Sequence, residues 1–155
     1  MYLQELRISN FRCFSEPQTI EFSKGINVLV GENDSGKSAI IDAIRIVMGT
    51  TDQGWYRIEP TDFNAERKDV EIAITLKFSD LSKAEQASFL ECLTCETVGG
   101  KDMPCLYINW KCKYLLNFTP PRTSIRVTTG INGDGPSLSA EARELLRVTY
   151  LPVSY

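Results

Sequence analysis

A chain of 155 residues with 43% apolar and 24% charged side chains is long enough for one domain with a core of its own, and its composition is that of an ordinary globular protein. A net charge of −3 argues against a surface coated in basic residues for nonspecific nucleic-acid binding, and the absence of histidine excludes imidazole bases and mixed Cys/His metal sites. No run approaches the ~18 apolar residues of a membrane span, and no signal-peptide pattern opens the chain, so a cytoplasmic protein without membrane contact is expected.

In chain order, Leu6 and Ile8, then Ile20 and Phe22, then the run Ile26-Asn27-Val28-Leu29-Val30 predict three short strands, with a turn at Ser23-Lys24-Gly25. The octapeptide Gly31-Glu32-Asn33-Asp34-Ser35-Gly36-Lys37-Ser38 follows and fits G-x-x-x-x-G-K-[ST], the phosphate-binding loop. Gly31 and Gly36 are expected to take positive φ, so that successive N–H groups form an anion nest. Lys37 is placed to reach the β- and γ-phosphates, and Ser38 to offer its hydroxyl to Mg²⁺ at the positive end of the following helix. Glu32 and Asp34 must point outward, and neither is a candidate base.

From Ser38 the residues Ile40, Ile41, Ile44, Val47 and Met48 recur at helical spacing up to Gly49. Residues 50–68, with Trp55, Tyr56 and Asp62-Phe63, read as a loop. Val70, Ile72, Ile74, Leu76 and Phe78 alternate with more polar neighbours, the clearest strand of the chain. Ser82 and Glu85 form a capping box for a helix carrying Ala87, Leu90 and Leu93 on one face, broken by Gly99-Gly100. Strands are predicted from about Leu106 to Leu116 and Thr123 to Thr128, then a short helix Ser139–Arg147 leading into the apolar run from Val148 to Leu151.

Five cysteines without secretory context predict reduced thiols. Cys105 and Cys112 fall on opposite phases of one strand, which speaks against a zinc site with Cys92 and Cys95. Lys111 and Lys113 interleave with Tyr107, Trp110 and Tyr114 as in a single-strand nucleic-acid platform. Trp110 and Tyr114 share the apolar phase, however, so core packing is the better reading, and Arg143 and Arg147 read as surface residues.

The stretches Leu6-x-Ile8-x-Asn10-Phe11-Arg12-x-Phe14, Ile20 to Ser38, and Asp42-Ala43-Ile44 resemble the N-terminal half of ABC-type ATPase heads of the RecF and structural-maintenance-of-chromosomes (SMC) kind. Asp62-Phe63, the Leu81-Ser82-x-x-Glu85 helix start and Arg147-Val148-Thr149-Tyr150-Leu151-Pro152 look most like the OLD (overcoming lysogenisation defect) family of ATP-dependent endonucleases. The resemblance implies an α/β P-loop NTPase fold, a partial ABC-type head with an antiparallel β portion across residues 1–155. It implies ATP and Mg²⁺ as cofactors. The cofactor-binding residues are then Arg12, Gly31, Asn33, Ser35, Gly36, Lys37 and Ser38, with Ser38 on the metal and Arg12 an arginine that approaches the nucleotide.

The Walker B acids, signature sequence and Toprim nuclease domain of such proteins have no counterpart in these residues. The chain is therefore expected to be an N-terminal piece, through truncation, gene splitting or engineering, with no catalytic residue of its own. DNA is the partner implied for the complete protein, with a homodimer or a chain supplying the missing motifs. A small P-loop metabolite kinase and a non-catalytic nucleotide-binding module are the other classes compatible with the loop.

Overall fold

The computed structural model describes residues 1–49, 57–67 and 69–151. Among these, the dominant element is a twisted sheet of six strands, every pairing antiparallel: β1 (Tyr2–Ser9), β2 (Gln18–Glu21), β3 (Ile72–Ser79), β4 (Leu93–Val98), β5 (Lys101–Leu115) and β6 (Arg122–Thr129). The spatial order is β2-β1-β3-β5. The far edge of β5 is shared, β4 lying along residues 101–106 and β6 along residues 108–115. Helix α1 (Lys37–Met48) and the short helices α2 (Lys83–Ser88) and α3 (Ala140–Leu145) accompany the sheet.

The period-two alternation of β3 and β5 decides which face is buried. Ile72, Ile74 and Leu76 of β3 stand beside Cys112, Trp110 and Ile108 of β5, and all are buried. With Leu6 and Ile8 of β1, they meet Ala39, Ile40 and Ala43 of α1, together with Phe11, Ile58 and Phe63. Trp110 is thus a core residue, and Tyr114 lies on the same face with its ring 5.6 Å from that of Phe63. Cys105 and Cys112 do fall on opposite faces, Cys105 donating to the Thr94 carbonyl at 3.3 Å and Cys112 sitting in the core. Burial pushes both thiols up to about 11.

Two expectations need correction. Ile26–Val30 forms no strand: no described segment pairs with it, and Ile26, Val28 and Val30 are 93%, 75% and 89% exposed. An apolar run of this kind suits a strand covered on both faces within a parallel sheet, and the antiparallel sheet offers it no neighbour. The helix after Ser82 ends at Ser88, and Leu93 opens β4 instead of continuing the helical face. Gly99 and Gly100, both at positive φ (59° and 77°), turn β4 directly into β5, the two-residue hairpin signal with its glycines. The run from Val148 to Leu151 is tied to the end of α1 by the Val148 N–H to the Gly49 carbonyl at 3.0 Å. The expected loop residues Trp55 and Tyr56 lie outside the described residues.

On the outer face, Lys77 donates to Glu96 at 2.7 Å and Tyr107 donates to the same carboxylate, fastening β4 across β5 to β3. Burial alone would raise the Glu96 carboxyl, but these two hydrogen bonds outweigh it and hold it below its ordinary 4.5. A depressed carboxyl contributes stability above its unfolded value and loses that contribution as pH falls through the lower folded value. Glu96→Gln should therefore cost roughly 1 kcal/mol at neutral pH and flatten the decline in stability below pH 4.5, measured by urea unfolding across that range. An unchanged acid limb would remove this cluster from the stability of the sheet.

Candidate nucleotide-binding site

Helix α1 begins where the sequence places it, and the residue before it explains how. Gly36 is the N-cap at φ 91°, a left-handed conformation that disfavours any side chain, and no side chain caps the helix. The first N–H groups of α1 therefore lack intrahelical acceptors and face the loop, the arrangement that receives an anion. A Cβ built on Gly36 would lie 3.0 Å from both the Cys13 sulfur and the Phe14 ring. The end of β1 thus folds back until it touches the phosphate loop.

Gly31 works differently from the expectation. It does not take positive φ; the second left-handed residue of the loop is Asp34, at 67°. Gly31 is needed for space, since a Cβ there would stand 2.6 Å from the Ser35 hydroxyl. Lys37 lies across the loop and donates to the Gly31 carbonyl at 2.7 Å, to the Ser35 hydroxyl at 3.2 Å and to the Glu32 carbonyl. Its ammonium is anchored to the oxygens of the loop. Glu32, Asn33, Asp34 and Ser38 are exposed, so the two acids do not close the nest and the Ser38 hydroxyl is accessible at the helix start.

These residues fit a Mg-polyphosphate. The uncapped helix start, the lysine and the adjacent hydroxyl supply an anion cradle, a cation and a neutral oxygen ligand within one turn. The cradle opens beside a cleft of about 450 Å³ lined by Cys13, Phe14, Ser15, Glu16, Gln18, Asp34 and Ser35. Sequence reasoning missed the 13–18 wall of this cleft. The available signal was Arg12-Cys13-Phe14 at the end of β1, beyond the last residue of its alternation.

Arg12 stands on the flank of the loop. Its Nη1 donates to Asp42 of α1 at 2.7 Å and its Nε to Asp62 at 3.0 Å. Ser38 and Asp42 are four residues apart on α1 and share a face, so the guanidinium lies about one helical turn from the Ser38 side. The structure therefore brings Arg12 and the phosphate loop into one region.

A second polar region lies on β5 and β6. Lys111, Lys113, Arg122 and Arg126 project from the outer face of β5 and β6 and are exposed, with Lys111 directly opposite Arg126. Glu71 pairs with Lys111 at 3.2 Å and with Lys113 at 3.9 Å.

A protein-family model described as an AAA domain matches residues 5–142. The chain belongs to this AAA-domain family. Over 153 residues it is 31% identical to the chromosome partition protein Smc of Lactiplantibacillus plantarum, a match that takes in 92% of the chain and 12% of that relative. It is 39% identical over 85 residues to Smc of Mycobacterium leprae, 55% of the chain and 7% of the relative. With Smc of Bacillus subtilis the figure is 47% over 49 residues, 32% of the chain and 4% of the relative. The chain thus spans about a tenth or less of the length of the curated relatives it matches. Among solved structures, one from work on ATP-driven dimerization and DNA-stimulated activation of SMC ATPases superposes with a TM-score of 0.52 at 21% identity, covering 94% of this chain and 75% of that one. The fold is that of an SMC ATPase head, an α/β P-loop ATPase fold with an antiparallel sheet. No described helix is long and apolar enough to cross a membrane.

Cys13 provides a local probe of this site, being exposed and packed on Gly36, whereas Cys95 is exposed far along the chain on β4. Mg-ATP should slow alkylation of Cys13 several-fold and leave Cys95 unchanged, with peptide mass spectrometry reading both positions. Equal rates at Cys13 with and without nucleotide, at saturating concentration, would separate the cleft from the phosphate loop.

Proposed function

We propose that this chain is the Mg-ATP-binding part of an SMC-like, ABC-type ATPase head. The observation that carries the reading is the uncapped start of α1 at Gly36, with Lys37 anchored across the loop and Ser38 exposed beside it. Gly31, Asn33, Ser35, Gly36, Lys37 and Ser38 would hold the phosphates and Mg²⁺. A bound Mg²⁺ would supply neutralising charge for the terminal phosphates. What the chain's own residues would do is bind and orient: loop amides would take phosphate oxygens, Lys37 would balance their charge, and Ser38 would offer its hydroxyl to the ion.

Binding is proposed to exceed hydrolysis in this chain. Phosphoryl transfer also needs a carboxylate for the metal, a residue to orient water and a charge to meet the leaving group. Among the described residues no cluster of three or more acids and cysteines is arranged to hold a metal. The unpaired, apolar Ile26–Val30 segment supports a head completed by a further strand-bearing segment, from elsewhere in the same protein or from a partner chain, that carries those groups. DNA is proposed as a ligand of the complete protein. The cationic face of β5 and β6, four exposed cations against the single carboxylate of Glu71, supports it.

Chromosome partition is the biological setting that the Smc relatives favour. The narrower alternative is an OLD-like ATP-dependent endonuclease, which rests on the sequence around Asp62-Phe63 and Ser82 to Glu85. The AAA-domain match favours either over a small metabolite kinase.

One set of assays tests the reading. Mg-ATP should raise the melting temperature by a few degrees, Lys37→Ala should remove most of that rise, and phosphate release should not exceed the Lys37→Ala control. DNA retention should fall steeply between 50 and 200 mM salt and be lost in the Lys111→Glu, Arg126→Glu double variant. An equal thermal response in Lys37→Ala contradicts the site, turnover near one per second contradicts an incomplete head, and Lys37-dependent plasmid nicking favours the endonuclease.

A further inference from the structure

Arg12 is the most completely specified residue near the phosphate loop. It sits at φ 50°, a left-handed conformation uncommon for a long side chain, and both its backbone and its guanidinium are held by the segment 59–64 and α1. Its backbone N–H donates to the Asp62 carbonyl at 2.8 Å, and its own carbonyl accepts from Asn64 Nδ2 at 2.7 Å. Its Nε goes to one Asp62 carboxylate oxygen at 3.0 Å, while the other oxygen accepts the Glu59 N–H at 2.9 Å. Its Nη1 goes to Asp42 at 2.7 Å, and Asp42 in turn accepts from Arg45 at 3.0 Å. Asp62 is only 4% exposed.

Stability alone does not account for this arrangement. The Arg12 and Asp42 side chains are partly exposed and that of Asp62 is buried; ion pairs so placed are weak stabilisers, because solvent screening and desolvation offset most of their attraction. A strained, over-determined residue at the edge of a binding cleft is better explained as one kept in a particular place. The place is defined from two sides. The residues after Arg12 are Cys13 and Phe14, which pack on Gly36, and Asp42 lies one helical turn beyond Ser38 on the same face.

We propose that Asp62 and Asp42 are positioning residues that hold the Arg12 guanidinium against the Ser38 side of α1, so that they act on a bound nucleoside triphosphate through Arg12. The proposal rests on the nucleotide-binding reading above. Asp62 sets the reach of the side chain from a fixed, capped turn, and Asp42 ties it to the helix whose start cradles the phosphates. Segment 59–64 then belongs to the nucleotide site although none of its residues lines the loop.

The test is a double-mutant cycle in Mg-ATP dissociation constants, by calorimetry, on the wild type, Arg12→Ala, Asp62→Asn and the double variant, with Asp42→Asn alongside. The Asp62→Asn change keeps an oxygen for the Glu59 N–H while removing the charge that faces Arg12. Arg12→Ala and Asp62→Asn should each weaken binding about tenfold, as loss of an outer-shell partner does elsewhere, and the double variant should be no weaker than Arg12→Ala alone. Melting temperatures without nucleotide read the purely structural contribution separately. If Asp62→Asn fails to fold by circular dichroism, Asp42→Asn in both Arg12 backgrounds carries the cycle, since the Asp42 carboxylate is bonded by the Arg12 and Arg45 side chains. Additive losses, or unchanged affinity in both aspartate variants while the wild type binds, overturn the positioning role and leave the nucleotide reading standing. A wild type that does not bind Mg-ATP overturns both.

Discussion

The phosphate loop is held in place by the end of β1 turning back against Gly36, and the rest of the site depends on that contact. In a P-loop fold the loop joins a strand to a helix, and the strand ordinarily gives it a rigid floor. Here Ile26–Val30 has no described sheet neighbour, so support comes from elsewhere. Cys13 and Phe14 fill the space that a Cβ at Gly36 would claim, Lys37 crosses the loop from helix to carbonyls, and α1 rests on the core through Ala39, Ile40 and Ala43. The antiparallel sheet fixes the end of β1 through its pairing with β3, and thereby fixes the loop at one remove.

Much of this could be read from the residues, and the failures have physical causes. The loop, the start of α1, the alternation of β3 and the burial of Trp110 follow from short-range pattern, and the structure keeps them. The run Ile26–Val30 misleads because apolar sequence marks a segment fit for burial and says nothing about whether a partner is at hand. Leu90 and Leu93 extend a helical spacing by coincidence, and Leu93 instead pairs with Leu106 once Gly99 and Gly100 close a hairpin. That turn was visible in the sequence, and tertiary pairing prevailed over a weak local period. Asp62 is the least legible residue of the site: fifty positions from Arg12 in sequence, it meets that arginine only because the Asn10–Arg12 and 59–64 segments are laid side by side, with Phe11 bridged to Phe63.

The chemistry divides along the same line as the fold. The helix start, Lys37 and Ser38 are local to one segment, and together they supply the donors and the cation of the proposed polyphosphate site. Activation of water and stabilisation of the leaving group require charges brought from distant elements, and no metal-binding cluster of acids stands among the described residues. The further segment proposed to complete the head would cover Ile26, Val28 and Val30, whose side chains are turned to solvent. The outer face of β5 and β6 carries its cations on strands that contribute no residue to the loop.

The most direct measurement is amide NMR of the isotope-labelled chain titrated with Mg-ATP. The account predicts shifts confined to Gly31 through Ser38 and to the Arg12–Phe14 and 59–64 segments, with the β4–β5 hairpin and the outer strand β6 unmoved. Saturable shifts centred on the hairpin or on β6, with Gly36 and Lys37 unperturbed, would contradict it.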